Sequence, residues 1–133
     1  MFDHVKFGVS DYAASKAFFL EALKPLGVTA GSEGPPSYGI ELIADGAASL
    51  CLYQTEEKPA RLHLAFTAAN RGQVEAFYRA ALAAGGRDNG APGVRSNYHP
   101  HYYAAFVIGP DGHNIEAVCH EPTPDETLER GHD

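Results

Sequence analysis

The sequence predicts an α+β protein built from one module repeated in tandem. Three observations carry that expectation. The chain matches itself at an offset of 59 residues, each copy opens on a segment alternating apolar and polar residues, and each alternating segment is followed by an apolar stripe at helical spacing.

The self-match lays residues 4–27 (HVKFGVSDYAASKAFFLEALKPLG) over residues 63–86 (HLAFTAANRGQVEAFYRAALAAGG). Identities fall at His4/His63, Phe7/Phe66, Ala17/Ala76, Phe18/Phe77, Ala22/Ala81, Leu23/Leu82 and Gly27/Gly86. In the opening segments Val5, Phe7 and Val9 share one strand face, as do Leu64 and Phe66, while His4, Lys6 and His63 take the other. The first helix buries Ser15, Phe18, Phe19, Ala22, Leu23 and Leu26; the second buries Val74, Phe77, Tyr78, Ala81 and Leu82. Ser10 or Asp11 is the candidate N-cap of the first helix, and Gly27 and Gly85-Gly86 are the candidate stops. Further strands are expected over 38–44 and 49–53, joined by Asp45-Gly46, and over 102–108 and 114–119, joined by Pro110-Asp111-Gly112. Residues 28–37 and 87–97, rich in Gly, Pro and Ser, read as loops, and the tail from Glu121 as extended or frayed. The 133 residues thus form one domain of two modules, 1–58 and 59–121, with a short C-terminal tail.

Composition narrows the function. A net charge of −7, with few and scattered Lys and Arg, excludes nucleic acid as a main partner, since phosphate binding needs a basic face. The apolar runs are too short to span a bilayer, and MFDHVKF lacks the basic and apolar regions of a signal peptide. Cys51 and Cys119 have no CxxC-type spacing, so a cytoplasmic protein with reduced thiols is expected.

Helix packing against the Val5 and Leu64 faces places His4 and His63 on the opposite faces, which line one shared concavity where the modules join their sheets. In 114–118 (NIEAV), Ile115 and Ala117 fit the helix side, so Glu116 joins the histidines. A carboxylate flanked by Ile and Ala is costly to bury unless a cation or hydrogen bonds compensate. A divalent metal between Glu116 and two imidazoles does so, and two His with one carboxylate suit Fe, Mn, Co, Ni or Zn. The bland alternative for each histidine is a surface or hydrogen-bonded side chain.

The motifs DHVKFGVSDYAASKAFF, LHLAF and, most specific, GPDGHNIEAV give the chain a resemblance to the vicinal-oxygen-chelate superfamily of glyoxalases, fosfomycin-resistance transferases, bleomycin-resistance proteins and extradiol dioxygenases. The resemblance covers His4 to about His120. It implies two βαβββ modules in tandem, forming a mixed-sheet cup with helices outside. It also implies that His4, His63 and Glu116 are ligands of one divalent metal, which holds two neighbouring oxygens of a small-molecule substrate, and that the protein is a homodimer. Fold membership does not choose among lyase, isomerase and dioxygenase chemistry, or metal-free sequestration of a ligand.

Departures from subfamily patterns bear on that choice. Cys51 stands where glyoxalase I has a fourth, carboxylate ligand; it reads as a thiolate ligand or a small buried residue. Phe106 stands where extradiol dioxygenases and fosfomycin transferases have a Tyr, and Gly109 replaces a dioxygenase Asp, although His99 is correctly spaced. Lys6 and Arg95 are the nearest basic residues to those that grip a phosphonate. Residues 97–103 (NYHPHYY) read as a rim over the cavity, with His99, His101 and Tyr102 as the catalytic candidates for general acid or base work. His113, His120 and His132 are assigned to turns and surface.

Overall fold

The computed structural model describes residues 2–120 and Pro122; the tail and His132 lie outside the described residues. The first module runs β1 (Val5–Val9), α1 (Tyr12–Leu23), β2 (Thr29–Glu33), β3 (Ile40–Ala44) and β4 (Ala47–Gln54). The second runs β5 (His63–Thr67), α2 (Arg71–Ala83), β6 (Arg87–Val94), β7 (Tyr103–Ile108) and β8 (Asn114–Cys119). Each module forms a four-stranded mixed sheet, ordered β1-β4-β3-β2 and β5-β8-β7-β6. β1 pairs parallel with β4, β5 pairs parallel with β8, and the remaining pairs are antiparallel.

Local chemistry explains the elements. The Asp11 carboxylate caps α1 by accepting from the Ala14 amide at 3.1 Å. Ser10 instead donates its amide and hydroxyl to the Asp111 carboxylate, tying the head of α1 to the β7–β8 turn of the other module. Asn70 caps α2 through the Gln73 amide at 2.8 Å, and the Gln73 side chain accepts from Ala69. The first helix ends in a short 3-10 turn whose stop, Gly27, has φ 83°. Asp45 and Gly46, both at positive φ, make the two-residue turn between β3 and β4. Gly39, at the head of β3, has φ 98°, and a Cβ there would lie 1.7 Å from the Leu52 carbonyl oxygen.

The two helices pack against each other, and α2 lies across β6, β7 and β8. One apolar cluster joins the modules. Phe18, Phe19, Leu23, Leu52, Phe77, Val107 and Ile115 are among its buried members, with Val5, Phe7, Leu64 and Phe66 against it. Phe19 meets Phe18 and Phe7 edge to face at 5.3 and 5.9 Å. The faces carrying His4 and His63 look away from this core.

Two expectations need correction. Residues 28–37 and 87–97 are not simply loops, since they contain the edge strands β2 and β6. Both are irregular. The register slips between Ala30 and Glu33, and again on either side of Gly90, with Pro92 inside the second slip. An edge strand tolerates Gly and Pro because one row of its backbone groups faces no neighbour, so turn-like composition conceals it.

His113 is not a turn or surface residue either. Its side chain is fully buried, its ring meets Phe7 edge on at 5.2 Å, and its Nδ1 accepts from the Leu62 amide at 2.9 Å. Nδ1 is therefore unprotonated and the ring neutral. Burial holds its pKa below the ordinary 6.5, against a smaller opposing pull from Asp111. The sign follows. As pH falls, the unfolded chain binds the proton first, so stability is full above about pH 6.5 and declines below it until the folded-state pKa is reached. Melting scans from pH 8 to pH 5 should show this decline, and His113→Gln should flatten it. An unchanged acid limb in the variant would assign the pH dependence elsewhere.

Candidate functional site

The ladder registers align the two concave faces. Across β1, β4 and β3 run Lys6, Cys51 and Glu41; across β5, β8 and β7 run Ala65, Glu116 and Phe106. Cys51 is therefore the positional counterpart of Glu116, as the repeat predicts. It is buried, and burial followed by the nearby Glu41 pushes its thiol pKa up, which favours the protonated, non-ligating form.

Glu116 is the centre of the second face. Only 1% of it is exposed, yet it is a carboxylate. Its Oε1 accepts from His63 Nε2 at 2.7 Å, and its Oε2 accepts from the Tyr102 hydroxyl. Burial first, and then the Glu116 carboxylate, push the Tyr102 hydroxyl pKa well up, so it donates and does not act as a base at neutral pH. Tyr102 also packs with Ala104, Phe106 and Val118, an apolar wall on this face. In front of His63 opens a cavity of about 370 Å³ lined also by Asn89, Arg95, Tyr98, Phe106 and Asn114. Asn89 and Asn114 hydrogen-bond to each other at 3.2 Å.

The structure thus brings together His63, Glu116 and Tyr102. His4 is elsewhere: its Nδ1 pairs with Asp3 at 2.6 Å, and it borders a separate cavity of about 340 Å³ with Lys6, Tyr38, Glu41 and Cys51. Of the other candidates, His101 is buried and its amide faces His99 Nδ1 at 3.4 Å. The exposed His99 ring lies 5.6 Å from His120, whose ring in turn lies 5.2 Å from Tyr102. Neither His99 nor His101 is among the residues lining the His63 cavity; Tyr98 of the same segment is. Two features escaped the sequence. Glu41 was legible, since alternation with the buried Ile40 and Leu42 puts it on the concave side. Tyr102 was a candidate, but its bond to Glu116 was not legible, because the two are not ladder partners: Phe106 stands opposite Glu116.

As a metal site, the second face is half built. A nitrogen and a buried carboxylate converge, and that donor chemistry suits a divalent ion. Among the described residues of a single chain, no group of three or more His, Cys, Asp or Glu is close enough to hold a metal ion. His63 and Glu116 supply two donors, and a divalent ion held there would need at least one more.

The sequence profile of the Glyoxalase/Bleomycin resistance protein/Dioxygenase superfamily matches residues 1–117. The chain is similar to a glyoxalase/bleomycin resistance protein from Albidiferax ferrireducens T118, at 28% identity and TM-score 0.72, covering 89% of this chain and 97% of that one. It shares its fold with a glyoxalase/bleomycin resistance protein/dioxygenase family enzyme from Burkholderia phytofirmans PsJN, at 18% identity and TM-score 0.68, over 87% and 95% of the two chains. A glyoxalase-related enzyme from Fulvimarina pelagi has the same fold, at 21% identity and TM-score 0.65, over 86% and 84%. No curated protein matches the chain.

Proposed function

The chain belongs to the glyoxalase/bleomycin resistance protein/dioxygenase superfamily, and from that premise we propose a metal-dependent enzyme acting on a small oxygen-rich or aromatic molecule. The observation that carries this reading is Glu116, a carboxylate buried on the cavity side between His63 and Tyr102. His63 and Glu116 hold one divalent ion, Fe, Mn, Ni, Co or Zn, and His4 of a second copy of the chain completes the set. A homodimer follows, with its sites between copies, because the His4 and His63 faces look away from the core that joins the modules. A divalent ion held there would supply Lewis-acid stabilisation to two neighbouring oxygens of the substrate.

The chain's own residues do the rest. The Tyr102 hydroxyl fixes the Glu116 carboxylate in one orientation, as an outer partner of a ligand does. Phe106, packed with Ala104 and Val118, makes one wall of the cavity apolar. His99 and His101, on the segment that carries the cavity-lining Tyr98, are the candidate acid and base groups.

One observation favours a second reading, a metal-free protein that sequesters a ligand: within one chain His4 is paired with Asp3 and away from His63. Mixing variants separates the two. His4→Ala and Glu116→Ala should each bind no metal alone, as read by plasma mass spectrometry. Unfolded and refolded together, they should recover about half of the wild-type content in mixed dimers. An empty wild type, with no rise in melting temperature on adding divalent ions, would instead support sequestration.

A further inference from the structure

We propose that the cavity of the second module holds an oxyanion subsite with Arg95 as its receptor, so that the molecule bound beside His63 and Glu116 carries a carboxylate or phosphate-type group. This rests on the reading of that cavity as the functional site and narrows the substrate class.

Four observations converge on Arg95. Among the described residues the ion pairs are His4–Asp3, Lys16–Glu33 and His63–Glu116, so the guanidinium has no carboxylate partner there. It sits over the Phe106 ring at 5.5 Å, and its Nη2 donates to the Ala91 carbonyl at 2.7 Å. That single bond leaves donors of the planar fork for a ligand. The strand beneath it is cut to make room: a Cβ on Gly90 would lie 3.1 Å from Nη2, and one on Gly93 2.9 Å from Nη1. The register of β6 breaks at these two glycines. Finally, Arg95 is the one permanent cation among the residues lining this cavity, and the Glu116 carboxylate, bonded to His63, is not itself among them.

Lys6 in the first cavity makes the contrast. It shares its cavity with Asp3 and Glu41, and its ammonium lies over the Tyr38 and Tyr53 rings at 5.0 and 5.4 Å. Its cavity thus already holds two carboxylates. The Arg95 guanidinium lines its own cavity without one among the lining residues, and its planar fork suits bidentate recognition of carboxylate or phosphate. In a protein of net charge −7, such a local cation is also what an anion needs in order to approach.

The test is binding to the full-length protein, both metal-loaded and EDTA-treated, with three probes: inorganic phosphate, benzoate and neutral benzamide. Amide shifts at Gly90, Gly93 and Arg95 report the place, and titration reports the affinity. Benzoate or phosphate should bind at least tenfold more tightly than benzamide, and Arg95→Met should abolish the difference while metal content stays at the wild-type level. Gly93→Ala should weaken the anion in the same direction by crowding the fork. A phosphate preference assigns a phosphorylated or phosphonate substrate; a benzoate preference assigns a carboxylate. Equal binding of benzamide, or anion binding unchanged in Arg95→Met, overturns the subsite whatever the metal content. Anion binding through Arg95 in a protein that takes up no metal upholds the subsite and removes only the metal-enzyme reading.

Discussion

Glu116→Gln is expected to abolish metal uptake and, in metal-free protein, to raise the melting temperature. Both effects come from one burial. A carboxylate that is 1% exposed has lost its water, and two hydrogen bonds return only part of that cost. Glutamine has the same shape. Its amide oxygen can accept from Tyr102, and its NH2 can donate to the other tautomer of His63, so the contacts survive and the buried charge goes. The metal-free variant should gain roughly 1–2 kcal/mol. Wild type at about a thousandfold excess of metal over its Kd should gain about 4 kcal/mol, or roughly 10–20 °C in Tm, while the variant gains nothing. Thermal scans with and without divalent ions, beside metal analysis, read both arms. A metal-free variant that melts below wild type would mean that the charge is satisfied as it stands; equal gains in the two proteins would place the metal elsewhere.

The second large effect is structural. Gly39→Ala should cost roughly 3–5 kcal/mol, a large part of the stability of a domain this size. The atom in the way is backbone. The new Cβ would be 1.7 Å from the Leu52 carbonyl oxygen, and Leu52 is the ladder partner of Ile40 next door. Relief requires opening the β3–β4 ladder or the turn in which Gly39 donates to Pro35 and accepts from Gly34. The urea midpoint should fall with little change in slope. Gly27→Ala is the control: it has a similar positive φ, 83°, but nothing within 4 Å of the added carbon. It should lose only about 1–2 kcal/mol, the cost of the left-handed conformation. Equal losses at the two positions would show that φ, and not the clash, makes Gly39 sensitive.

The parts legible in the sequence were those specified by periodicity and by turn chemistry. Alternation around Phe7 and Phe66 and the stripes through Phe19 and Phe77 describe both modules, because burial on one face leaves a period. Asp45-Gly46 and Gly27 mark a turn and a stop, because few residues tolerate positive φ. Laying the closing strand of the first module over that of the second put Cys51 at the place of Glu116, and the ladders agree. What stayed hidden depends on position in the sheet. β2 and β6 lie at sheet edges, where composition is under little constraint, so their Gly and Pro imitated loops. His113 follows a turn, yet its ring is driven inward to accept the Leu62 amide, a partner 51 residues away. Nor does any local pattern encode that His4 borders one cavity and His63 another.

The slips in β2 and β6 have a consequence for how copies of the chain can join. Each sheet has one irregular edge and one regular edge. The regular edges are β1 and β5, whose ladders run without a break and whose outer backbone groups have no strand beside them in the chain. Strand addition needs a straight edge on both partners. The slips therefore make β2 and β6 poor partners for strand addition, so a strand-paired join between copies would run through β1 or β5.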